Sequence, residues 1–417
     1  MRTFTKLMAG AAFAVTATAL AVAPAMADPI NGKGKPVTPA ATDVVGVGSD
    51  TIQNVLNQFS VSYNASHKTG PRLYSWDATN PSTGAIGDMI TLKKGCKALA
   101  RPNGSSGGIA ALTTENATTG KSPCMDFARS SRDRATSDPV FGPGGISFIA
   151  LGGDAVTYAT FPGSHAPANL STTQLFQIYT CTVRAKGGHP ANNWADLGGK
   201  AGPIKAFIPQ SGSGTRSFFL TAIGIISGTP GTCVSDGATK KVPGGTVEEN
   251  EGVNALLNKD KADTIFPFSI GKYIAERYHS AKCLNHFCKP ETSGSNKGKT
   301  CLPSKTQNQF GCDTHGQMVL NKVNNTAPTK PFPLPSKGSP TVNPGFSKLF
   351  TRSLFIVVPF PKKSQTNGIP NYLLPFFGPK GFTCSAAAKP ILLNYGFVVF
   401  PKGTSSGHAT NKCGDTH

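Results

Sequence analysis

The stretch from Ile208 to Phe219, reading Ile-Pro-Gln-Ser-Gly-Ser-Gly-Thr-Arg-Ser-Phe-Phe, constrains the fold more than any other part of the chain. Gly212 and Gly214 free the backbone for turn conformations that side chains discourage, Ser213 and Thr215 add hydroxyl donors, and the run from Ser217 onward has the apolar character of a helix. The preceding residues, Pro203 to Ile208, are short and apolar enough for a strand. A strand that delivers a Gly/Ser loop to a helix start leaves amide groups unpaired and pointing outward, which is the chemistry of an anion cradle. A plain Gly/Ser turn is the competing explanation, and one such loop does not decide between them.

The design recurs earlier in the chain. Asp43 to Gly48 reads as a strand, Gly48-Ser49-Asp50-Thr51 as a turn, and Ile52, Val55, Leu56 and Phe59 as the apolar face of a helix that Asp50 or Ser49 is placed to cap. Arg101-Pro102-Asn103-Gly104-Ser105-Ser106-Gly107-Gly108 is a second Gly/Ser loop opening into a helix at Ile109 to Leu112. Its Gly104, Ser106, Gly108 spacing fits a hydrolase nucleophile elbow, but Leu99 to Pro102 makes a poor strand to feed one. Asp126 to Arg134 sets three arginines against two carboxylates, and guanidinium forks suit tetrahedral oxyanions; a solvated charged turn is the alternative. Strands follow at Gly144 to Leu151 and Asp154 to Phe161, with a helix at Leu170 to Tyr179 capped by Ser171 or Thr172. Beyond the opening stretch, Glu248-Glu249-Asn250-Glu251-Gly252 leads into a helix at Val253 to Leu257. Thr264 to Ile270 is a strand, Tyr273 to Tyr278 a helix, and Ser353 to Phe360, Tyr372 to Phe377 and Pro390 to Phe400 restore apolar elements.

Residues 1–27, with Arg2 and Lys6, an apolar run from Leu7 to Ala23 and Ala25-Met26-Ala27, have the pattern of a cleaved secretory signal peptide. Residues 28–41 read as a flexible leader. No cysteine near the cleavage site provides a lipid anchor and no later apolar run spans a bilayer, so a soluble, secreted or periplasmic protein is expected. Ten cysteines in an exported chain of 417 residues point to disulfides. Spacing favours Cys96 with Cys124, Cys181 with Cys233, Cys384 with Cys413, and Cys283, Cys288, Cys301 and Cys312 among themselves. A zinc site in that last cluster, aided by His286 and His315, is the alternative, but its spacings fit no usual zinc pattern, and no metal or cofactor is expected. The segment from about 283 to 344 is polar and reads as a disulfide-rich insertion; its Gly294 to Thr300 is one residue short of a P-loop. A net charge of +20 with only 15% charged residues reflects scarce acids. An anionic ligand or envelope fits that balance. The basic residues are not interleaved with aromatics, and no nucleic acid partner is expected.

Taken in order, these segments resemble the phosphate-binding protein of a phosphate-uptake ABC transporter, a type II periplasmic-binding-protein family. Gly46 to Thr51, Gly104 to Gly108, Asp126 to Ser131 and Ser211 to Phe218 fall where that family has its four ligand loops. The resemblance implies an α/β fold of two lobes joined by hinge strands, closing on a ligand held in the cleft. The first lobe would take residues 42–135 and 269–417, the second 136–268. The family's contacts fall on Asp50, Thr51, Ser105 with Ser106 beside it, Ser131, Ser213, Gly214 and Thr215. Two departures stand out: Pro209 and Ser211 replace an arginine and an aspartate, and Ser131 replaces the aspartate that accepts the proton of hydrogen phosphate. Asp50 is the candidate replacement carboxylate, and Arg129 or Arg216 the replacement cation. The implied protein is a non-catalytic monomer that binds phosphate or a similar oxyanion and serves an ABC permease. Two other readings stand beside it: a secreted phosphohydrolase with Ser105 or Ser213 as nucleophile, and an envelope-associated protein that keeps the fold without the ligand.

Overall fold

The computed structural model describes residues 28–29, 36–81, 84–119, 124–140, 144–185, 191–238, 246–279, 314–330, 340–360, 368–404 and 409–417. The signal-peptide pattern, the P-loop-like Gly294 to Thr300 and the cluster from Cys283 to Cys312 lie outside them. Strands β1 (Val44–Gly48), β2 (Leu73–Ser75), β3 (Phe127–Ser130), β4 (Ile146–Thr160), β5 (Lys205–Ala206), β6 (Thr264–Ser269), β7 (Val319–Leu320) and β8 (Thr351–Pro359) form an eight-stranded sheet in the order β2-β1-β3-β8-β4-β6-β5, with β7 on β4. Helices α1 (Gln53–Ser66), α2 (Gly104–Thr119), α3 (Thr172–Thr180), α4 (Gly214–Ala222) and α5 (Ile270–His279) pack on its faces.

One long strand makes this sheet into two lobes. β4 is buried along all 15 residues. Ile146 to Ala155 pair antiparallel with β8, and Val156 to Ala159 pair antiparallel with β6, so β4 passes from one lobe into the other without a break. Alternate side chains leave opposite faces of a strand. In the first lobe Phe127, Ile149 and Ile356 therefore join Val55, Leu56 and Phe59 of α1, whereas Ala128, Phe148 and Val357 join Ile109 and Leu112 of α2. In the second, Val156 and Tyr158 pack with Leu175, Tyr179, Phe219 and Leu220, while Phe266 and Phe268 form a smaller cluster with Tyr273 on the other face. This is the α/β, two-lobe, hinge-strand architecture implied by the sequence.

Three expectations change in detail. Val323, Val342, Phe346 and Phe350 lie in the second lobe's core, placing this part of 269–417 with that lobe because its apolar side chains are needed there. Of residues 28–41, Asp28 and Val37 are held against the fold. Asp28 is buried, its carboxylate accepts from Arg101 at 2.9 and 3.0 Å and from the Asp77 amide, and Val37 packs beside the α2 core. A buried guanidinium is costly unless acceptors meet its donors, and here the carboxylate meets them. Finally, Asp50 does not cap α1; the Ser49 hydroxyl instead accepts from the Thr51 amide at 3.2 Å, and α1 starts with no side-chain cap. The bonds Cys96–Cys124, Cys181–Cys233 and Cys384–Cys413 are all formed. Ser171 caps α3 in a capping box with Gln174.

Arg129, read as a candidate ligand cation, is a fully buried clamp within the first lobe. Its Nε donates to the Ser49 carbonyl at 2.9 Å, and its terminal nitrogens donate to the Gly48 and Trp76 carbonyls and the Ser75 hydroxyl at 2.9, 2.6 and 2.6 Å. It fixes the chain where β1 and β2 end. Burial lowers its pKa to about 10, so the charge persists at neutral pH. Arg129→Met, which strands four buried acceptors, is expected to lower stability by about 3–5 kcal/mol in urea unfolding at pH 7, with partial recovery in Arg129→Lys.

Candidate functional site

Two helices start face to face at the cleft. In the first lobe, α2 begins at Gly104, whose positive φ of +70° suits glycine. A Cβ on it would lie 2.9 Å from the Gly212 carbonyl of the second lobe, and the Ser106 amide donates to that same carbonyl at 3.1 Å. In the second lobe, α4 begins at Gly214, capped by the Ser213 hydroxyl, which accepts from the Arg216 amide at 3.0 Å. A Cβ at Gly214 would collide with the hydroxyls of Ser105 and Ser131, so glycine here permits the lobes to meet.

Between the helix starts lies a cage of hydroxyls. Ser131 Oγ lies 3.0 Å from Ser49 Oγ and 3.2 Å from Ser105 Oγ, and its amide donates to Ser105 Oγ at 3.0 Å. Thr51 Oγ1 and Thr215 Oγ1, one from each lobe, are 3.3 Å apart. At the centre is a carboxylate. Glu249 Oε1 accepts from Ser131 Oγ at 3.2 Å, from Thr215 Oγ1 at 2.9 Å and from Thr51 Oγ1. The residue is 1% exposed. Asn250, at a positive φ of 61° that asparagine tolerates, turns the chain so that Glu249 points inward. The Asn250 side chain accepts from the Ser269 amide at 2.8 Å and donates to Asp50 at 3.2 Å, which holds the loop.

Arg352 supplies the positive charge. At the start of β8 it stands opposite Asp154 of β4, where β4 leaves the first lobe, and its Nε and a terminal nitrogen bind Asp154 Oδ2 at 3.0 and 2.8 Å. Further donations reach the Ser131 carbonyl at 3.0 Å, Thr215 Oγ1 at 3.0 Å and Thr51 Oγ1 at 3.4 Å. The guanidinium thus donates to hydroxyls that donate in turn to the carboxylate oxygen. Such aligned, desolvated donors favour an anionic oxygen at the centre.

The structure brings together Thr51, Ser105, Ser131, Gly214 and Thr215. It does not add Asp50, Ser106, Arg129, Ser213 or Arg216 to the cage. Asp50 Oδ1 is 3.0 Å from the buried Lys272 ammonium, which also binds Asn54 at 2.8 Å. Burial works against that ammonium, but Asp50 and Glu276 outweigh it and hold its pKa above the ordinary lysine value. Ser106 Oγ accepts from Arg132 at 3.2 Å, the Ser213 hydroxyl is used by the helix cap, and Arg216 pairs with Asp236 at 2.8 Å outside the cage. Two charged groups to which the sequence pattern did not point, Glu249 and Arg352, touch the cage hydroxyls instead. Glu249 lay in a run that reads as a helix lead-in; Arg352 carries no local signal, because only the pairing of β8 with β4 brings it to the cleft.

A model of the family described as "PBP superfamily domain" matches residues 33–281. No curated protein matches the sequence significantly. Among solved structures, the chain is similar to a candidate phosphate ABC transporter substrate-binding protein with bound phosphate from Clostridium perfringens, at 14% identity and TM-score 0.48, over 86% of this chain and 100% of that one. It is also similar to an ABC-type phosphate transport receptor from Vibrio cholerae (14% identity, TM-score 0.45, 85% and 99% coverage) and a phosphate-binding protein from Stenotrophomonas maltophilia (13%, 0.43, 87% and 91%). At these scores the functional question rests on the chain's own residues.

Beside the cage, Glu248 Oε2 accepts from Asn103 at 2.7 Å, and Gln210 donates to Asn103 at 2.6 Å, so this carboxyl bridges the lobes. Its Oε1 is buried without a hydrogen-bond partner. Burial pushes the Glu248 pKa up from 4.5 to about 7. The folded protein then holds a proton that the unfolded chain releases, so the group's contribution is fully present below about pH 4.5 and is lost as pH rises through 7. The loss is about 3 kcal/mol. Glu248→Gln should be the more stable protein at pH 8, with the difference shrinking towards pH 4.5, as read by denaturant unfolding across that range.

Proposed function

We propose that this chain, which belongs to the PBP superfamily, is an exported solute-binding protein that captures phosphate or a similar tetrahedral oxyanion between its lobes and delivers it to an ABC-type permease. The observation that carries this reading is the convergence of Thr51, Ser131 and Thr215, from both lobes, on a single anionic oxygen. Three hydroxyl donors backed by a guanidinium form a receptor for an oxyanion, and one that exists only when the lobes are together. The phosphate-binding proteins among the structures similar to this chain agree with that choice of ligand, without adding weight to it.

Binding is reversible and involves no chemistry on the ligand. Ser105 Oγ is hydrogen-bonded with Ser131, and Ser213 Oγ accepts from the Arg216 amide at the start of α4, which supports positioning roles for both serines. A second reading, in which the fold serves the cell envelope without a free ligand, draws on the presence of Glu249 in the cage. Thermal unfolding against phosphate, arsenate, sulfate and molybdate separates the two. Phosphate at 100 times its dissociation constant is expected to stabilise the protein by about 2.7 kcal/mol. No shift with any oxyanion would favour the ligand-free reading.

A further inference from the structure

We propose that Glu249 is a tethered competitor for the oxyanion: its carboxylate closes the lobes upon themselves, and a free oxyanion binds by displacing it. This rests on the reading of the cleft as an oxyanion site and adds what regulates its affinity. Glu249 belongs to the second lobe, yet two of its three hydroxyl donors, Thr51 and Ser131, come from the first. One side chain therefore makes the interlobe contacts that a ligand would make. Because it is held on the same chain, its effective concentration at the cage is high, and any ligand must outcompete it.

The internal occupant is also an imperfect one. Glu249 Oε2 is buried with no hydrogen-bond partner, which costs free energy that a better-matched anion does not incur. A tetrahedral oxyanion carries more acceptor oxygens than a carboxylate and can use donors that Glu249 leaves unused. Displacement needs only the side chain to move, since Asn250 is separately held by the Ser269 amide and Asp50. Two anions sharing the cage would repel each other across a few ångströms of dry protein, so occupancy is exclusive.

The test uses the full chain with inorganic phosphate as probe. By titration calorimetry, Glu249→Ala is expected to bind phosphate at least about tenfold tighter than the wild type. By small-angle scattering without phosphate, the variant should have a larger radius of gyration and contract when phosphate is added, while the wild type stays the same size. Equal or weaker affinity in the variant overturns the proposal; weaker affinity would make Glu249 part of the ligand's own shell. If neither protein binds phosphate, the oxyanion reading of the cleft fails, and scattering alone then decides: an unchanged radius in Glu249→Ala overturns the closing role. Should Glu249→Ala not fold, Glu249→Gln, which keeps the volume and loses the charge, carries the same expectations.

Discussion

The ion pair between Arg352 and Asp154 holds the molecule's two tasks together. It sits where β4 passes from one lobe to the other, with both side chains buried and 2.8 Å apart. Neither charge is tolerable there alone. Asp154 also accepts from Ser269 Oγ at 2.8 Å and from the Gly271 amide at 3.0 Å, which fixes the turn from β6 into α5. Arg352 spends its remaining donors on the cage. One guanidinium thus bonds both Asp154 at the lobe crossover and the hydroxyls of Thr51 and Thr215.

Around that pair the chain concentrates charges that it otherwise avoids. It has only 21 acidic residues, yet Asp154, Glu248, Glu249 and Glu276 are buried near the cleft, with Asp50 beside them against Lys272. Most are met by a cation, an amide or a hydroxyl. Glu248 and Glu249 each keep one oxygen without a hydrogen-bond partner, and both lie on the loop that faces the first lobe. A net charge of +20 is compatible with an acidic centre because the two act over different distances. A summed positive field acts on anions at long range, whereas the proposed oxyanion selection would act through donors within hydrogen-bond reach.

Much of this was legible in the sequence. Gly212-Ser213-Gly214-Thr215 announces a helix start that must approach something closely, and Gly104 and Ser105 repeat the signal; the structure presses these two loops against each other. Local chemistry also pointed to three disulfides and to the cap of α3. What could not be read is whatever depends on pairing between distant strands. Arg352 is one arginine among 41 basic residues until β8 is laid against β4. Asp50 looked like the site's carboxylate because it adjoins Thr51, but the burial of Lys272 draws it away. Arg129 looked like a ligand cation, yet the carbonyls at the ends of β1 and β2 need it more. Glu249 sits behind an asparagine whose left-handed backbone, invisible in composition, decides where the carboxylate points.

The proposed oxyanion receptor consists of the hydroxyls of Thr51, Ser131 and Thr215 with the Arg352 guanidinium. Crystals grown with arsenate test it most directly, because the anomalous signal of arsenic locates the anion without assumption. One strong peak is expected in the cleft, the anion's oxygens about 3 Å from those three hydroxyls and the Arg352 guanidinium, with the Glu249 side chain swung out. A peak elsewhere, or saturating arsenate with Glu249 still in the cage, would contradict it.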